Sequence, residues 1–353
     1  MSTMLPGSTP GRRVTMAPDL CLSSFGLGAE VTKGTALDLK QLAALITVAD
    51  VGSVTKAAKL LHLVQPAVTR QIRLLEEELG VALFQRTHQG MVLTEAGEQL
   101  VRRARRAMQE LERAKIELSP SPELVKGHVT IGVLESSIET LIQPLADTIA
   151  NKHPAVHLRF LTGYSGYVRE WLDQGEVDVA MLNSVTSAHT LAVFPLLHEQ
   201  LWVLAPPDAG LSPNRPVSWA TVLARPLVLP VGGLGVRAAV DQAHSETGVQ
   251  PTVVAESNSG FILKELVLAG QGWSVLPAVA IKRDIDRGVL SGAPLVDPDI
   301  TREVVLAFQR GGRTPPQVEA VATELVRLVH RLVRNGEWPA AQMHSGAGVA
   351  LSP

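Results

Sequence analysis

Apolar positions fall into helical register from Asp38 onward, after a Gly-, Ser-, Thr- and Pro-rich stretch with no sustained period. Leu39, Leu42, Leu45 and Ile46 predict a first helix that stops near Gly52. A second, short helix is predicted from Ser53 to Leu61, with Val54, Ala57, Ala58 and Leu61 as its buried stripe and Ser53 as N-cap. Its two alanines permit close approach of a neighbouring helix. A third opens at Gln65-Pro66, because proline is tolerated where the first-turn amide has no partner, and Gly80 ends it. Val68, Ile72, Leu75 and Leu79 form its inward face, which turns Pro66, Thr69, Arg70 and Arg73 outward. Two short helices joined by the tight His62-Leu63 connection match a helix-turn-helix. Val81 to Phe84 and Met91 to Leu93, flanking the turn Thr87 to Gly90, read as a small β-wing.

Beyond Thr94 a long helix is predicted to about Leu118. Leu100, Ala104, Ala107, Leu111, Ala114 and Leu118 alternate steps of four and three, the period of a coiled-coil seam. Ser119-Pro120-Ser121-Pro122 breaks it and marks the main boundary. The remainder alternates short apolar strands with helical patterns, an α/β signature. Strands are expected at His128 to Leu134, Val156 to Leu161, Val177 to Leu182, Leu201 to Ala205, Pro226 to Leu229, Thr252 to Ala255, Trp273 to Leu276 and Val304 to Gln309, and a last helix at Pro316 to Asn335. Trp171, Trp202 and Trp273 read as core. Residues 1–36 read as a disordered extension, within which Met4 and Met16 are alternative starts, and 337–353 as a flexible tail.

Composition narrows the classes. No run approaches the roughly 18 apolar residues of a membrane span, and the single cysteine, Cys21, excludes an intrachain disulfide and a multi-cysteine metal cage. A reduced, cytoplasmic compartment fits. Residues 1–120 carry 15 Lys and Arg against 12 Asp and Glu, and the remainder 17 against 22, so a polyanion would be met by the front of the chain.

An ordered series of residues then resembles the LysR family of transcriptional regulators: Gly52-Ser53, Ala57-Ala58, Leu61, Gln65-Pro66-Ala67-Val68-Thr69, Ile72, Leu75-Glu76, Leu79-Gly80, Leu83-Phe84, Arg86 and Leu93-Thr94-Glu95-Ala96-Gly97. Weaker marks follow at Gly132, His153-Pro154, Leu161, Gly175 to Ala180 and Gly272 to Pro277. The resemblance implies an α+β multi-domain chain. Its parts are a winged helix-turn-helix (37–95), a linker or dimerisation helix (96–120) and a two-lobed α/β effector-binding domain (126–336). Lobe one would be 127–204 with 306–335, and lobe two 205–305. It implies a homodimer or homotetramer on double-stranded DNA bearing an interrupted inverted repeat, a small-molecule effector such as an organic acid or amino-acid-like metabolite, and RNA polymerase as a further candidate partner. Val64 departs from the pattern, since serine usually precedes Gln-Pro, and losing an N-cap costs about 1 kcal/mol.

Gln65, Pro66, Ala67, Thr69, Arg70 and Arg73, with Arg86 on the wing, are the candidate DNA contacts, because arginine reads guanine in bidentate fashion or grips phosphate. Glu76, Glu77 and Glu78 would repel phosphate and read as solvent-facing, packing or subunit contacts. For the effector the candidates are Ser136, Ser137, Tyr164, Ser165, Gly233, Arg237 and Asn258, which follow strands or open helices where free amides attract carboxylates. No catalytic residue, cofactor or metal is expected, as the ten histidines show no zinc-site spacing and no hydrolase or phosphate-loop motif occurs. Two alternatives stand beside a ligand-responsive regulator: a constitutive DNA-binding protein, and a nucleotide-dependent enzyme suggested by Gly233-x-Gly235-x-x-Ala238 with Glu256.

Overall fold

A computed structural model describes residues 37–88, 90–117, 125–183, 190–232, 235–310 and 314–344. The expected extension 1–36, Gly233 and the end of the expected tail lie outside them. The chain divides into two compact units, one ending at Glu98 and one beginning at Gln99.

In the first unit, α1 (Leu39–Val51) opens on a capping box between Asp38 and Gln41 and closes on Gly52 in the left-handed conformation. Helix α2 (Val54–Leu60) is capped by the Ser53 side chain, and α3 (Gln65–Leu79) ends at left-handed Gly80. Ala57 and Ala58 are buried, and the connection turns through His62 at φ 54°, where Leu63 N donates to the Ala58 carbonyl. Val68, Ile72 and Leu75 are buried as expected, but Leu79 is 39% exposed, so the inward face stops one turn short of the helix end.

The wing consists of β1 (Phe84–Thr87) and β2 (Gly90–Leu93), paired antiparallel. It is shorter than expected because Leu83 N donates to the Glu76 carboxylate (2.7 Å) instead of to a strand, as does Phe84 N (3.2 Å). Glu76 is therefore the clip that ties α3 to the wing. Helix α4 (Glu95–Glu117) follows; Thr94 Oγ1 accepts from Gly97 N and donates to the Ala82 carbonyl. A Cβ on Gly97 would collide with the Leu83 carbonyl oxygen, so only glycine admits this close packing of helix on wing. Along the predicted seam Ala104 is buried, whereas Ala107, Leu111 and Ala114 are exposed.

The second unit is built on parallel strands β3 (Gly127–Leu134), β4 (Val156–Gly163) and β5 (Val179–Asn183), connected by α5 (Ile138–Lys152) and α6 (Ser165–Gln174). Next comes β6 (Leu191–Ala205), a strand of 15 residues of which only the last five were expected. Pro195 hides the rest: it cannot donate to a ladder, and it is accommodated at a register irregularity against β12. Then follow β7 (Val217–Ser218), α7 (Trp219–Leu223), β8 (Leu227–Pro230), α8 (Val236–Thr247), β9 (Val253–Ser257), α9 (Gly260–Leu268), β10 (Ser274–Pro277), α10 (Ala278–Asp286) and β11 (Ser291–Val296). The chain returns through β12 (Thr301–Gln309) to α11 (Pro316–Arg334).

Two lobes result. In lobe one the order is β4-β3-β5-β12-β6, with α5 and α11 over one face and α6 over the other. In lobe two the end of β6 pairs with β10 and β11, while β8 and β9 form a parallel pair. The change of partners falls at Leu201, whose amide donates to the Ile300 carbonyl (2.8 Å). The crossover thus lies at about residues 200 and 300, slightly earlier than expected along both strands.

The supposed tail 337–353 is corrected for its first part. Trp338 is 2% exposed, and β13 (Ala341–Met343) pairs antiparallel with β6. A small apolar and polar segment near a chain end reads as loose because its one anchoring side chain, Trp338, has no periodic neighbours in sequence.

Where the chain crosses between lobes, Glu199 and Arg302 face each other as paired residues of β6 and β12. Arg302 Nε donates to Glu199 Oε1 (2.6 Å), Trp338 Nε1 donates to Glu199 Oε2 (2.9 Å), and a second Arg302 nitrogen donates to Ser136 Oγ (2.8 Å). Both ionic side chains are nearly inaccessible, at 6% and 0%. Removing one partner leaves a buried charge. Arg302→Met is expected to lower the unfolding free energy by about 3–5 kcal/mol in chemical denaturation, and Glu199→Leu added to it should recover much of that loss.

Candidate DNA-reading face and effector cleft

On α3 the outward residues are arranged as the helical period requires. Gln65, Pro66, Thr69, Arg70 and Arg73 are exposed and Ala67 is half-buried, while Arg86 is exposed on β1. Thr69 Oγ1 donates to the Gln65 carbonyl (3.1 Å), and Arg73 is 3.2 Å from Glu77 in an exposed pair one turn along the helix. Arg70 and Arg86 form no ion pair among the described residues. The N-cap position, Val64, has no side-chain hydrogen bond to the helix, and Gln65 does not replace the missing serine.

In the second unit a cavity of about 180 Å³ lies between the lobes at the carboxyl ends of their strands. Lobe one contributes Glu135 and Ser136 after β3, Tyr164 and Ser165 after β4, and Asn183 at the end of β5. Lobe two contributes Val236, Gly260, Phe261, Lys264 and Pro277. Open α/β sheets place ligands at such strand ends.

The candidate residues separate clearly. Ser136 lines the cavity and accepts from Arg302. Tyr164 lines it as well; burial, reinforced by Glu135 and opposed by Arg302, pushes its phenol up to about 12, so it stays a protonated donor. Ser165 lines it but is 2% exposed, and its hydroxyl accepts from Asn183 N (2.9 Å). Asn258 lines an adjoining recess with Tyr167 and Trp171, and Trp171, half-buried, also packs against the core around Val168 and Leu172.

Two candidates are not brought to the cavity. Ser137 is fully buried, and its hydroxyl donates to the Leu134 carbonyl (2.8 Å). Arg237 is held by Asp241 (2.7 Å), by the Pro230 carbonyl (2.9 Å) and by Glu256. Burial works against its charge, but the hydrogen bonds to Glu256 and Asp241 outweigh it and raise its pKa. A carboxylate ligand would have to displace both acids. Gly233 lies outside the described residues.

Sequence reasoning missed Glu135, Asn183, Arg302 and Lys264. Glu135, on lobe one, reaches across to α9 of lobe two, where it accepts from Ser259 Oγ (3.2 Å) and Gly260 N (3.1 Å). It occupies the anion-favouring start of that helix. Asn183 is 5% exposed, and its Oδ1 has no partner among the described residues. The signal for it was present, as a polar residue closing a wholly buried strand. Lys264 is neutralised by Asp284 (2.8 Å).

Gly235, the second glycine of the nucleotide-like pattern, has φ 99°, and a Cβ there would lie 2.7 Å from Asn183 Nδ2. Its small size serves lobe-to-lobe approach. Glu256, the acid of that pattern, is engaged with Arg237.

A winged helix-turn-helix joined to a two-lobed α/β domain with a ligand-sized cavity at its strand ends defines a DNA-binding regulator that carries a small-molecule sensor. The family model described as LysR substrate binding domain matches residues 122–329, and that described as bacterial regulatory helix-turn-helix protein, lysR family, matches 39–98. The chain belongs to the LysR family: it is a LysR-type DNA-binding transcriptional regulator with an effector-binding domain, and not an enzyme. It is 29% identical over 303 residues to the HTH-type transcriptional regulator BbuR of Bordetella bronchiseptica, covering 86% of this chain and 93% of that one. It is also 29% identical to the nitrogen assimilation regulatory protein nac of Klebsiella aerogenes, covering 84% and 96%. Among solved structures, a full-length variant of OxyR from Pseudomonas aeruginosa matches in fold with a TM-score of 0.66 at 23% identity, covering 83% of this chain and 94% of that one. CbnR complexed with its target DNA matches at 0.58 and 23%, covering 83% and 99%. No helix among the described residues is long and apolar enough to cross a membrane.

The Gly235 geometry has a measurable consequence. Gly235→Ala should destabilise the second unit by about 1–3 kcal/mol, read as a lower midpoint in thermal denaturation, because the residue meets both a disfavoured φ and the Asn183 amide.

Proposed function

We propose that this regulator senses a small carboxylate with a compact apolar body in the interlobe cavity, and that the effector takes the place of the Glu135 carboxylate at the start of α9. The observation that carries this reading is the Glu135 contact with Ser259 and Gly260, an anion of the protein's own seated across the cleft. Protonated Tyr164 and the Ser136 hydroxyl supply further polar groups, and Leu134, Ile138, Phe261 and Leu276 supply apolar wall. A cavity of about 180 Å³ is smaller than the roughly 300–1,000 Å³ that accommodates drug-sized ligands, which favours a metabolite of few heavy atoms. Organic acids and amino-acid-like compounds fit this description. By displacing an interlobe contact, the effector would shift the balance of lobe arrangements in proportion to its differential affinity for them.

On the DNA side, Gln65, Pro66, Ala67, Thr69, Arg70 and Arg73 read the major groove and Arg86 contacts backbone at the wing. Arg70, without an internal ion pair among the described residues, is the best-placed base reader. The exposed Ala107, Leu111 and Ala114 on α4 support a helix-to-helix homodimer, further paired in a homotetramer. Such a dimer places two reading helices on an interrupted inverted repeat. The protein works in the cytoplasm, where RNA polymerase is its further partner at the promoter.

Two measurements test this. Calorimetry against a panel of organic acids and amino acids should reveal a saturable ligand, and Glu135→Ala should bind it several-fold more tightly because the internal competitor is gone. Absence of any ligand across the panel would favour a constitutive DNA-binding role, and weaker binding in Glu135→Ala would refute displacement. In mobility-shift titrations, Arg70→Ala should lose at least about tenfold in operator affinity with thermal stability unchanged, whereas unchanged affinity removes Arg70 from the reading face.

A further inference from the structure

Away from the cleft, three potential metal ligands converge on the strand ribbon beside the interlobe crossover. His198 on β6 and Glu303 on β12 are paired residues of the ladder, and Gln342 of β13 pairs with His198 from the other side. His344 lies two residues past Gln342, on the same face, and its amide donates to the Leu196 carbonyl (3.2 Å). One nitrogen from each histidine and one Glu303 oxygen all lie within 4.8 Å of one another. His344 Nε2 is 3.9 Å from Glu303 Oε1, and the two imidazole centroids are 5.3 Å apart. These residues come from three separate stretches of the chain, so no spacing motif announces them.

We propose that His198, Glu303 and His344 form a binding site for a divalent transition ion of the zinc class. Two imidazoles and a carboxylate are a donor set that suits zinc, with solvent in the fourth position. With metal–ligand bonds of about 2.0–2.1 Å, tetrahedral ligand atoms sit about 3.3 Å apart. Side-chain rotations of about an ångström therefore close the group, with no movement of the strands. A second observation points the same way: His344 Nδ1 is buried and has no hydrogen-bond partner among the described residues. Coordination through Nδ1 itself would give that orphan its partner.

The location gives the ion a structural role. It would fasten β13 to β6 and β12, one residue along each strand from Glu199 and Arg302. Metal that binds only the folded chain stabilises it by mass action. The ion would thus hold Trp338 on its buried partner and stiffen the crossover from the solvent side.

The test uses the full chain, stripped with chelator and titrated with zinc chloride by calorimetry, with melting followed in parallel. One zinc per chain should bind at this site, and the melting midpoint should rise. His198→Ala and His344→Ala should each weaken that binding by at least tenfold and abolish the rise, while circular dichroism shows both folded. The stacked His128–His157 pair, with centroids 5.2 Å apart, is the main competing histidine surface, so His128→Ala/His157→Ala serves as the control that keeps the site. Magnesium should produce neither effect. No saturable zinc binding in the parent chain, or parental zinc affinity in either His198→Ala or His344→Ala, overturns the proposal.

Discussion

The second unit depends on one buried ion pair at the point where its two lobes meet. Enclosing Glu199 and Arg302 costs several kcal/mol of hydration for each ion, and that cost is offset only if each remaining donor and acceptor is used. It is met by a strand-to-strand register that places the two residues directly opposite, by the Trp338 indole on one carboxylate oxygen and by the Ser136 hydroxyl on the guanidinium. Four segments are thereby fixed to a single point: β6, β12, the turn after β3 and the C-terminal segment. Because that turn carries Glu135 as well as Ser136, the ion pair also sets where the cleft wall stands.

Val279 of α10 is buried in the apolar core of lobe one, but around the cavity the lobes also meet through contacts of a different kind, polar and shallow. Glu135 on the α9 amide and Gly235 against Asn183 both bring lobe one to lobe two through a few atoms each. A sensor needs this asymmetry. A crossover as strongly fixed as Glu199–Arg302 keeps the lobes aligned, while contacts that a ligand can replace leave the cleft responsive. Such contacts are individually worth about 1–3 kcal/mol when charged groups take part, which is the range of a typical coupling between sites.

What the amino-acid order made legible was local. Ser53, Gly52, Gly80 and the Ala57-Ala58 pair announce the helix-turn-helix because caps and close-packing residues act within a few positions of themselves. The glycine and serine loops after β3 and β4 were legible as cleft edges for the same reason. The long-range parts were not. Arg302 and Glu199 stand 103 positions apart, and no local spacing links them. Pro195 concealed most of β6, and Trp338 gave no warning that the chain end returns to the sheet. Arg237 read as a carboxylate clamp because its partner Glu256 lies 19 residues on, beyond the reach of a helical pattern. Glu76 was legible as a non-DNA residue, but its bonds to Leu83 and Phe84 depend on a turn whose path the sequence leaves open.

The ribbon of β12, β6 and β13 has two faces, and the alternation of strand residues assigns them opposite tasks. Glu199 and Arg302 point inward to one another, while His198 and Glu303, each the immediate neighbour of one of them, point outward. No backbone adjustment can move one pair without turning the other. A change in twist at the crossover, whether it begins in the cleft through Ser136 or at the chain end through Trp338, therefore also turns the backbone that carries His198 and Glu303 on the outer face. The same rigidity works in reverse, so that whatever fixes those outer side chains also limits the twist available to the hinge.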